Sequence, residues 1–377
     1  MRDVIVVGGG PVGILLAGLL AVRGLDVEVL EQRSEPSMRS RAIGIHPPSL
    51  RALRQLGVAD TIIEGAVRIS GGEVRSDGRR LGRLRFPETA DRYQRVISLP
   101  QYETEAVLRD RFAELRPGGF RGGVTVTGLR DRGDRVELDS APDSGEPLEA
   151  RYVVAADGAR SAVRDLLGIR CTARTGGETY LMSDYADAGE HGDEAVLFFE
   201  RGGVVESFPL PNGRRRWVAM TPSLMADATS ADLATLVRTR TGIELPPSES
   251  AASSFAVQQR LARRLVCGRV VLVGDAAHQI SPIGGQGMNL GWLDALQLAT
   301  ALERAIREPA AAASVLADYD RRRRRSARMA ARQAGFNMAM GSPAHGLRLR
   351  ARNGLVRALA VPPASAVLAR AFTMRWL

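Results

Sequence analysis

The sequence predicts an α/β fold: a Rossmann-type nucleotide-binding domain interleaved with an antiparallel-sheet domain, followed by C-terminal helices. Three observations carry this expectation. Two apolar runs end in glycine-rich turns, one from Val4 to Gly13 and the other from Val270 to Asn289, and each reads as a strand feeding a helix. Between them lie several runs in which apolar and polar residues alternate, the pattern of half-buried strands. Beyond residue 310 the chain becomes helical and strongly basic.

In the first element, Val4 to Val7 form a buried strand, and Gly8, Gly10 and Gly13 after it fit G-x-G-x-x-G, with Pro11 and Val12 opening the helix. One glycine makes the tight turn, one lets a pyrophosphate approach the backbone, and one lets helix and strand pack closely. The phosphates then meet unpaired N–H groups at the helix N-terminus. A second strand, Asp26 to Leu30, leads to Glu31, at the offset of roughly 20 residues where an acid binds a ribose hydroxyl. Glu31, with Gln32 and Arg33 after it, is the expected adenosine rim. Val4 to Val22 is free of charge, but three consecutive glycines and Pro11 interrupt it and another strand follows, which argues against a membrane anchor or signal peptide.

Strand–helix alternation fills residues 1 to about 70 and returns with a helix from Gln101 to Leu115 and a strand from Arg151 to Ala156. Asp157-Gly158-Ala159-Arg160-Ser161 then makes another acidic, glycine-bearing turn. Strand-like runs occupy Gly71 to Phe86, Glu178 to Ala186, Ala195 to Phe199, Val204 to Pro209 and Arg216 to Pro222, and a hairpin turn is expected near Ser140 to Pro147. The expected division is residues 1–70, 101–172 and 267–310 for the nucleotide domain, 71–100 and 173–266 for the sheet domain, and 311–377 for the helical tail. A small-molecule site belongs in the cleft between the first two. Met182, Phe199, Phe208, Pro209 and Met220 are the expected apolar lining for a substrate.

The run Val270 to Val273 ends in Gly274-Asp275, delivering one carboxylate to a strand tip, and Gly285, Gly287, Met288 and Asn289 open the next helix. Two such edges far apart in sequence suit opposite ends of one long cofactor, flavin adenine dinucleotide. Asp157 and Asp275 also admit a plainer reading as helix N-caps, and Arg160 and Arg164 one as solvated helix charges, which is preferred for Arg164, while Arg160 is expected at the cofactor. An ordinary NAD dehydrogenase leaves the second and third motifs unexplained.

Composition excludes other classes. The chain has 377 residues, two cysteines (Cys171 and Cys267) without C-x-x-C spacing, and four scattered histidines, so no metal centre or disulfide framework is expected and a reducing cytoplasm fits. Lysine is absent, which removes Schiff-base chemistry and the P-loop lysine. Arg321 to Leu377 holds 13 arginines and no acid, leaving 39 basic against 42 acidic side chains before it. A charge run is ordinarily a solvated face, and with few aromatics interleaved nucleic-acid binding is not expected; weak contact with an anionic membrane surface or an acidic partner suits the tail better.

With these motifs in place, the chain resembles the FAD-dependent aromatic hydroxylases, single-component flavoprotein monooxygenases of the p-hydroxybenzoate hydroxylase and ubiquinone hydroxylase type. The resemblance rests on the glycine motif, on Asp157 to Arg164 and on Gly274 to Asn289, with Asp294 beyond, and covers nearly the whole chain. It implies non-covalent FAD, NAD(P)H as reductant, and hydroxylation or epoxidation of a hydrophobic aromatic, phenolic or polyketide-like small molecule through a flavin hydroperoxide. It also implies that Gly274 and Asp275 bind the ribityl side, that Pro282 to Asn289 lies along the isoalloxazine, that Arg39 and Arg41 stand near the cofactor phosphates and nicotinamide path, and that Gln101 is on the FAD side of the cleft. No catalytic side chain is required; His46 and Pro282 are the candidates near the flavin, while His278 is expected to orient its loop. A helix starting near Gly287 would stabilise the reduced, anionic flavin with its N–H groups. The alternative is an FAD-dependent reductase or oxidase of an isoprenoid or similar apolar substrate, without oxygen insertion.

Overall fold

The computed structural model describes residues 1–37, 42–86, 90–142, 145–174, 177–281 and 285–374. Arg39, Arg41 and Pro282 lie outside the described residues.

The strand Arg2–Val7 is flanked in parallel by Val27–Glu31 on one side and Leu148–Ala155 on the other, with Val270–Leu272 parallel beyond it. Such strands are covered on both faces, so they read as continuous apolar runs rather than alternating ones. Helix α1 (Pro11–Val22) follows the first strand and is apolar all round because Gly13 to Leu20 are buried between the sheet and other helices. The charge-free stretch is thus a strand, a turn and an internal helix. Helices α2 (Pro47–Leu56), α3 (Ala59–Gly65), α4 (Gln101–Leu115) and α5 (Ala162–Leu166) complete this half.

The second sheet has seven strands, and most of its pairings are antiparallel, as expected. One is not: Glu194–Glu200 runs parallel to Gly71–Ser76. These strands come from distant segments joined by a long crossover, which leaves either direction open, whereas hairpin neighbours must be antiparallel. The run Gly71 to Phe86 is itself a hairpin, Gly71–Ser76 with Arg79–Arg85, turning at Asp77 and Gly78, both at positive φ. Period-two alternation sorts the sheet's faces. Leu181, Tyr185, Val196, Phe198, Val205 and Trp217 pack against Leu233 and Val237 of α6 (Ser230–Thr241), and the residues between them face the nucleotide half.

Helix α7 (Gln286–Arg307) joins the two ends of the chain, because Trp292 Nε1 donates to the carbonyl of Pro11 at 3.0 Å. A Cβ on Gly291 would fall 2.6 Å from Val12, so α1 and α7 meet closely. Helix α8 (Ala312–Gly341) runs beside α7, followed by α9 (Gly346–Leu359) and α10 (Ala364–Phe372). The tail is not a detached solvated face. Arg323, in the middle of the five-arginine run, is 2% exposed and bonded to Asp294, and Arg352 is buried with its guanidinium donating to the carbonyls of Ser342 at 2.9 Å and Phe199 at 2.5 Å. Among the described residues no single helix is long and apolar enough to cross a membrane; α9 and α10 pass that test only as a pair, bent by 93°.

Candidate cofactor and substrate site

The C-terminal tips of the parallel strands place four of the sequence motifs on one edge, where open α/β sheets bind ligands. Gly8 N donates to Leu30 O at 2.7 Å, Ala156 N to Val7 O at 2.8 Å and Val273 N to Ala155 O at 2.9 Å, so the turns at Gly8, Glu31, Asp157 and Gly274 are neighbours. Gly8 sits at φ +110°, and a Cβ there would fall 2.4 Å from Ala156 O; one on Gly13 would fall 2.0 Å from Gly8 O. Gly10 differs: its backbone is extended, and a Cβ there would meet nothing within 4 Å. It opens onto a cavity of about 720 Å³, beside α1 amides that no side chain caps.

Glu31 is buried at its strand tip, accepting from Gly9 N at 2.7 Å and from Arg33 N and Nε at 3.0 and 2.9 Å. Burial works to raise its pKa, but the Arg33 guanidinium and these amides hold it below the ordinary carboxylate range. The carboxylate therefore shapes the glycine loop as well as facing the cavity, which Gln32 and Arg33 also line. Asp157 Oδ2 accepts from Val163 N at 3.1 Å, the cap-like role, while Oδ1 is buried without a hydrogen-bond partner among the described residues and burial raises the pKa of the group. Arg164 corrects an expectation: it is buried, and donates to the carbonyls of Ala159 and Ala276 at 3.2 and 3.3 Å, tying the Asp157 turn to the Asp275 turn. Arg160 is exposed and does not line the cavity.

Gly274 (φ +62°) packs on Val12, and Asp275 after it is exposed to the cavity. Gly285, at φ +64° and beside Gly44 and His46, is the N-cap of α7, which among the described residues has neither a capping side chain nor an acid in its first turn, so its first amides are left to water or a ligand. Gly285, Gly287, Met288, His46 and Gln101 all line the cavity. Asn289 does not. It is fully buried, donating to Gly44 O and Gly285 O at 2.8 and 2.7 Å and accepting from His46 N at 2.9 Å, so it positions the loop rather than reaching a ligand. Gly13 likewise acts through packing. His278 is buried with Nε2 on Asp294, an orienting role.

Across the cavity stand Met182, Phe199 and Phe208, as expected. Pro209 and Met220 do not line it. Pro209 follows Phe208 and takes the opposite face, because successive strand residues alternate, and Met220 is packed against Gly203 in the sheet's core. Sequence reasoning missed Tyr180, Leu197, Glu206, Arg216 and Phe255, and missed that Phe336, Met340, Leu359 and Phe372 of the tail helices close the wall. Stepping by two from Phe208 would have found Glu206. The tail's apolar side was hidden by its arginines.

The residues fit FAD on these observations: an open approach at Gly10, an unsatisfied buried oxygen at Asp157, uncapped amides at both helix starts, and a cavity long enough to continue past them to an aromatic wall.

Comparison with known proteins agrees. A family model described as FAD binding domain matches residues 1–334. The chain is 35% identical over 308 residues to a rifampicin monooxygenase of Streptomyces venezuelae, covering 79% of this chain and 63% of that protein. It is 34% identical over 317 residues to 6-methylpretetramide 4-monooxygenase of Streptomyces rimosus, covering 81% and 56%. The chain thus spans about six-tenths of the length of these curated relatives. Among solved structures, p-nitrophenol 4-monooxygenase of Pseudomonas putida DLL-E4 superposes with a TM-score of 0.86 at 27% identity, over 99% of this chain and 97% of that one.

Proposed function

The match over residues 1–334 makes this chain a member of the FAD-binding domain family, and from that premise we propose that it is an NAD(P)H-using monooxygenase of a hydrophobic aromatic, phenolic or polyketide-like small molecule. The observation that carries this reading is the single cavity running from Gly10 and Glu31 to the aromatic face of the second sheet. Names of the relatives, with rifampicin, 6-methylpretetramide and p-nitrophenol as the compounds acted on, support the substrate class. In this reading residues 1–70, 101–172 and 267–310 form the FAD-binding domain, 71–100 and 173–266 the substrate domain and 311–377 the helical tail.

When bound, FAD supplies hydride acceptance from NAD(P)H and the activation of oxygen. The chain's own residues do the rest. The N–H groups of Gly10, Val12 and Gly13, Pro11 having none, would hold the pyrophosphate, Glu31 and Asp275 would accept from cofactor hydroxyls, and Asp157 Oδ1 would gain a partner. The α7 amides from Gln286 to Met288 would offer a positive dipole end to negative charge on the flavin. Phe199, Phe208 and Met182 exclude water and seat the substrate. The exposed arginines of the tail, among them Arg321, Arg322, Arg325, Arg348 and Arg350, are the surface left for weak contact with an anionic membrane or an acidic partner.

Asp275→Ala is expected to weaken FAD binding by about 10- to 150-fold, the loss of a charge-assisted hydrogen bond, and Glu31→Ala by at least as much because the glycine loop loses its support too. FAD titration of the apoprotein measures both; unchanged affinity in the two variants rejects this placement. For the reaction, turnover under ¹⁸O₂ with NAD(P)H is expected to place one labelled oxygen in the product. Product oxygen drawn only from water, or turnover unchanged without oxygen, would establish the reductase or oxidase alternative instead.

A further inference from the structure

The substrate wall carries a polar group whose partners are missing. Glu206 lies in the strand Gly203–Leu210, two residues before Phe208, so it points into the same cavity. It is 5% exposed, its Oε1 is without a hydrogen-bond partner among the described residues, and burial pushes the carboxyl up to about 7. Two strands away, Tyr180 is 1% exposed with its hydroxyl equally unpartnered, stacked on Phe255 at 5.7 Å between ring centroids and close enough to Glu206 and Glu178 that their charges add to burial in raising its pKa. Arg216, on the same wall, is engaged by Asp184 through two bonds of 2.7 and 2.9 Å, and burial is the one cause that moves the Glu206 carboxyl. A buried polar atom left unpaired costs free energy that an apolar residue there would avoid. Two such atoms on one cavity wall mark a place where a ligand completes the bonding.

We propose that Glu206, assisted by the Tyr180 hydroxyl, is the specificity determinant of this cavity: it receives an O–H or N–H donor of an otherwise apolar aromatic substrate and turns away aromatics bearing a carboxylate at that end. The proposal rests on the reading of the cavity as an aromatic substrate site. Above about pH 7, where Glu206 is ionised, a donor satisfies the carboxylate, an ether brings it none, and a second carboxylate would face it as a like charge in a water-poor pocket.

Three matched probes test this by equilibrium dialysis against the FAD-loaded protein at about pH 8, above the titration of Glu206: 2-naphthol, 2-methoxynaphthalene and 2-naphthoate. The wild type is expected to bind naphthol about ten-fold or more tightly than either of the others. Glu206→Leu should bring naphthol and the ether within about two-fold of each other, chiefly by improving the ether. Glu206→Gln, which carries no charge and both accepts and donates, should narrow the gap between naphthol and the ether while accepting naphthoate. A wild-type protein that binds the three alike or binds none of them, or a Glu206→Leu protein that keeps the full preference, overturns the subsite. Labelled-oxygen turnover judges the parent reading separately: oxygen insertion with no naphthol preference would overturn the subsite alone.

Discussion

A Gly10→Val chain is expected to fold and melt like the wild-type apoprotein while losing FAD affinity by at least about 100-fold, the equivalent of one or two strong hydrogen bonds to the backbone. The three motif glycines make this a sharp test. Gly8 is at φ +110° and Gly13 would drive a Cβ to 2.0 Å from a carbonyl oxygen, so substitution at either damages the apoprotein itself. Gly10, at φ −77° and ψ −178° with open space around its absent Cβ, is required by no turn or close contact, and as the N-cap of α1 its loss to valine costs about 1 kcal/mol at most. What remains to explain a glycine there is a ligand that comes close to the backbone. Apoprotein melting curves and FAD titration separate the two effects. Tight FAD binding by Gly10→Val would reject the proposed pyrophosphate position, and a large fall in its apoprotein stability would reject the claim that the space is open.

Asp294→Ala is expected to destabilise the protein by about 3–5 kcal/mol, the cost of breaking a buried ion pair by removing one partner. At an unfolding entropy of about 2.1 cal/mol/K per residue, this lowers the melting temperature by about 4–6 °C. Asp294 is fully buried in α7 and bonds both His278, beside the Asp275 turn, and Arg323 of α8. Burial alone would raise its pKa, but the facing His278 and Arg323 hold it below the ordinary value of 3.8. The sign follows: the folded state favours the carboxylate, so its contribution is complete above 3.8 and is lost as the pH falls through the lower, folded-state value. Calorimetry should therefore find the gap between wild type and Asp294→Ala narrowing in strong acid. Combining Asp294→Ala with Arg323→Leu should recover part of the loss, since the stranded guanidinium goes too. A double variant as unstable as the sum of its parts would mean that the pair is not the source of the effect.

The cofactor edge was largely legible because its requirements are local. A strand, a glycine turn and a helix start occupy about ten consecutive residues, and Glu31, Asp157 and Gly274-Asp275 each announce themselves by an apolar run that ends in an acid or glycine. Asn289 and Arg164 were misjudged because a polar residue next to a motif looks like a ligand contact or a surface charge until its bonding is known. In the fold their donors are already satisfied, Asn289 by Gly44 and Gly285, Arg164 by Ala159 and Ala276. Pro209 was misjudged for a simpler reason: adjacent strand residues cannot share a face.

The chain's covalent order alone determined the fold class, the cofactor class and most of the residues that line the cavity at that edge, since backbone turns and helix starts depend on neighbours in sequence. Only the tertiary structure decided which alternating face of the second sheet meets the nucleotide half, that Glu206 Oε1 and the Tyr180 hydroxyl on it have no partner among the described residues, and that the arginine-rich tail closes the cavity while Arg323 is spent inside on Asp294. The physical reason is burial. Whether a charge is solvated, paired or left waiting for a ligand depends on which distant segments exclude water from it, and no local pattern records that.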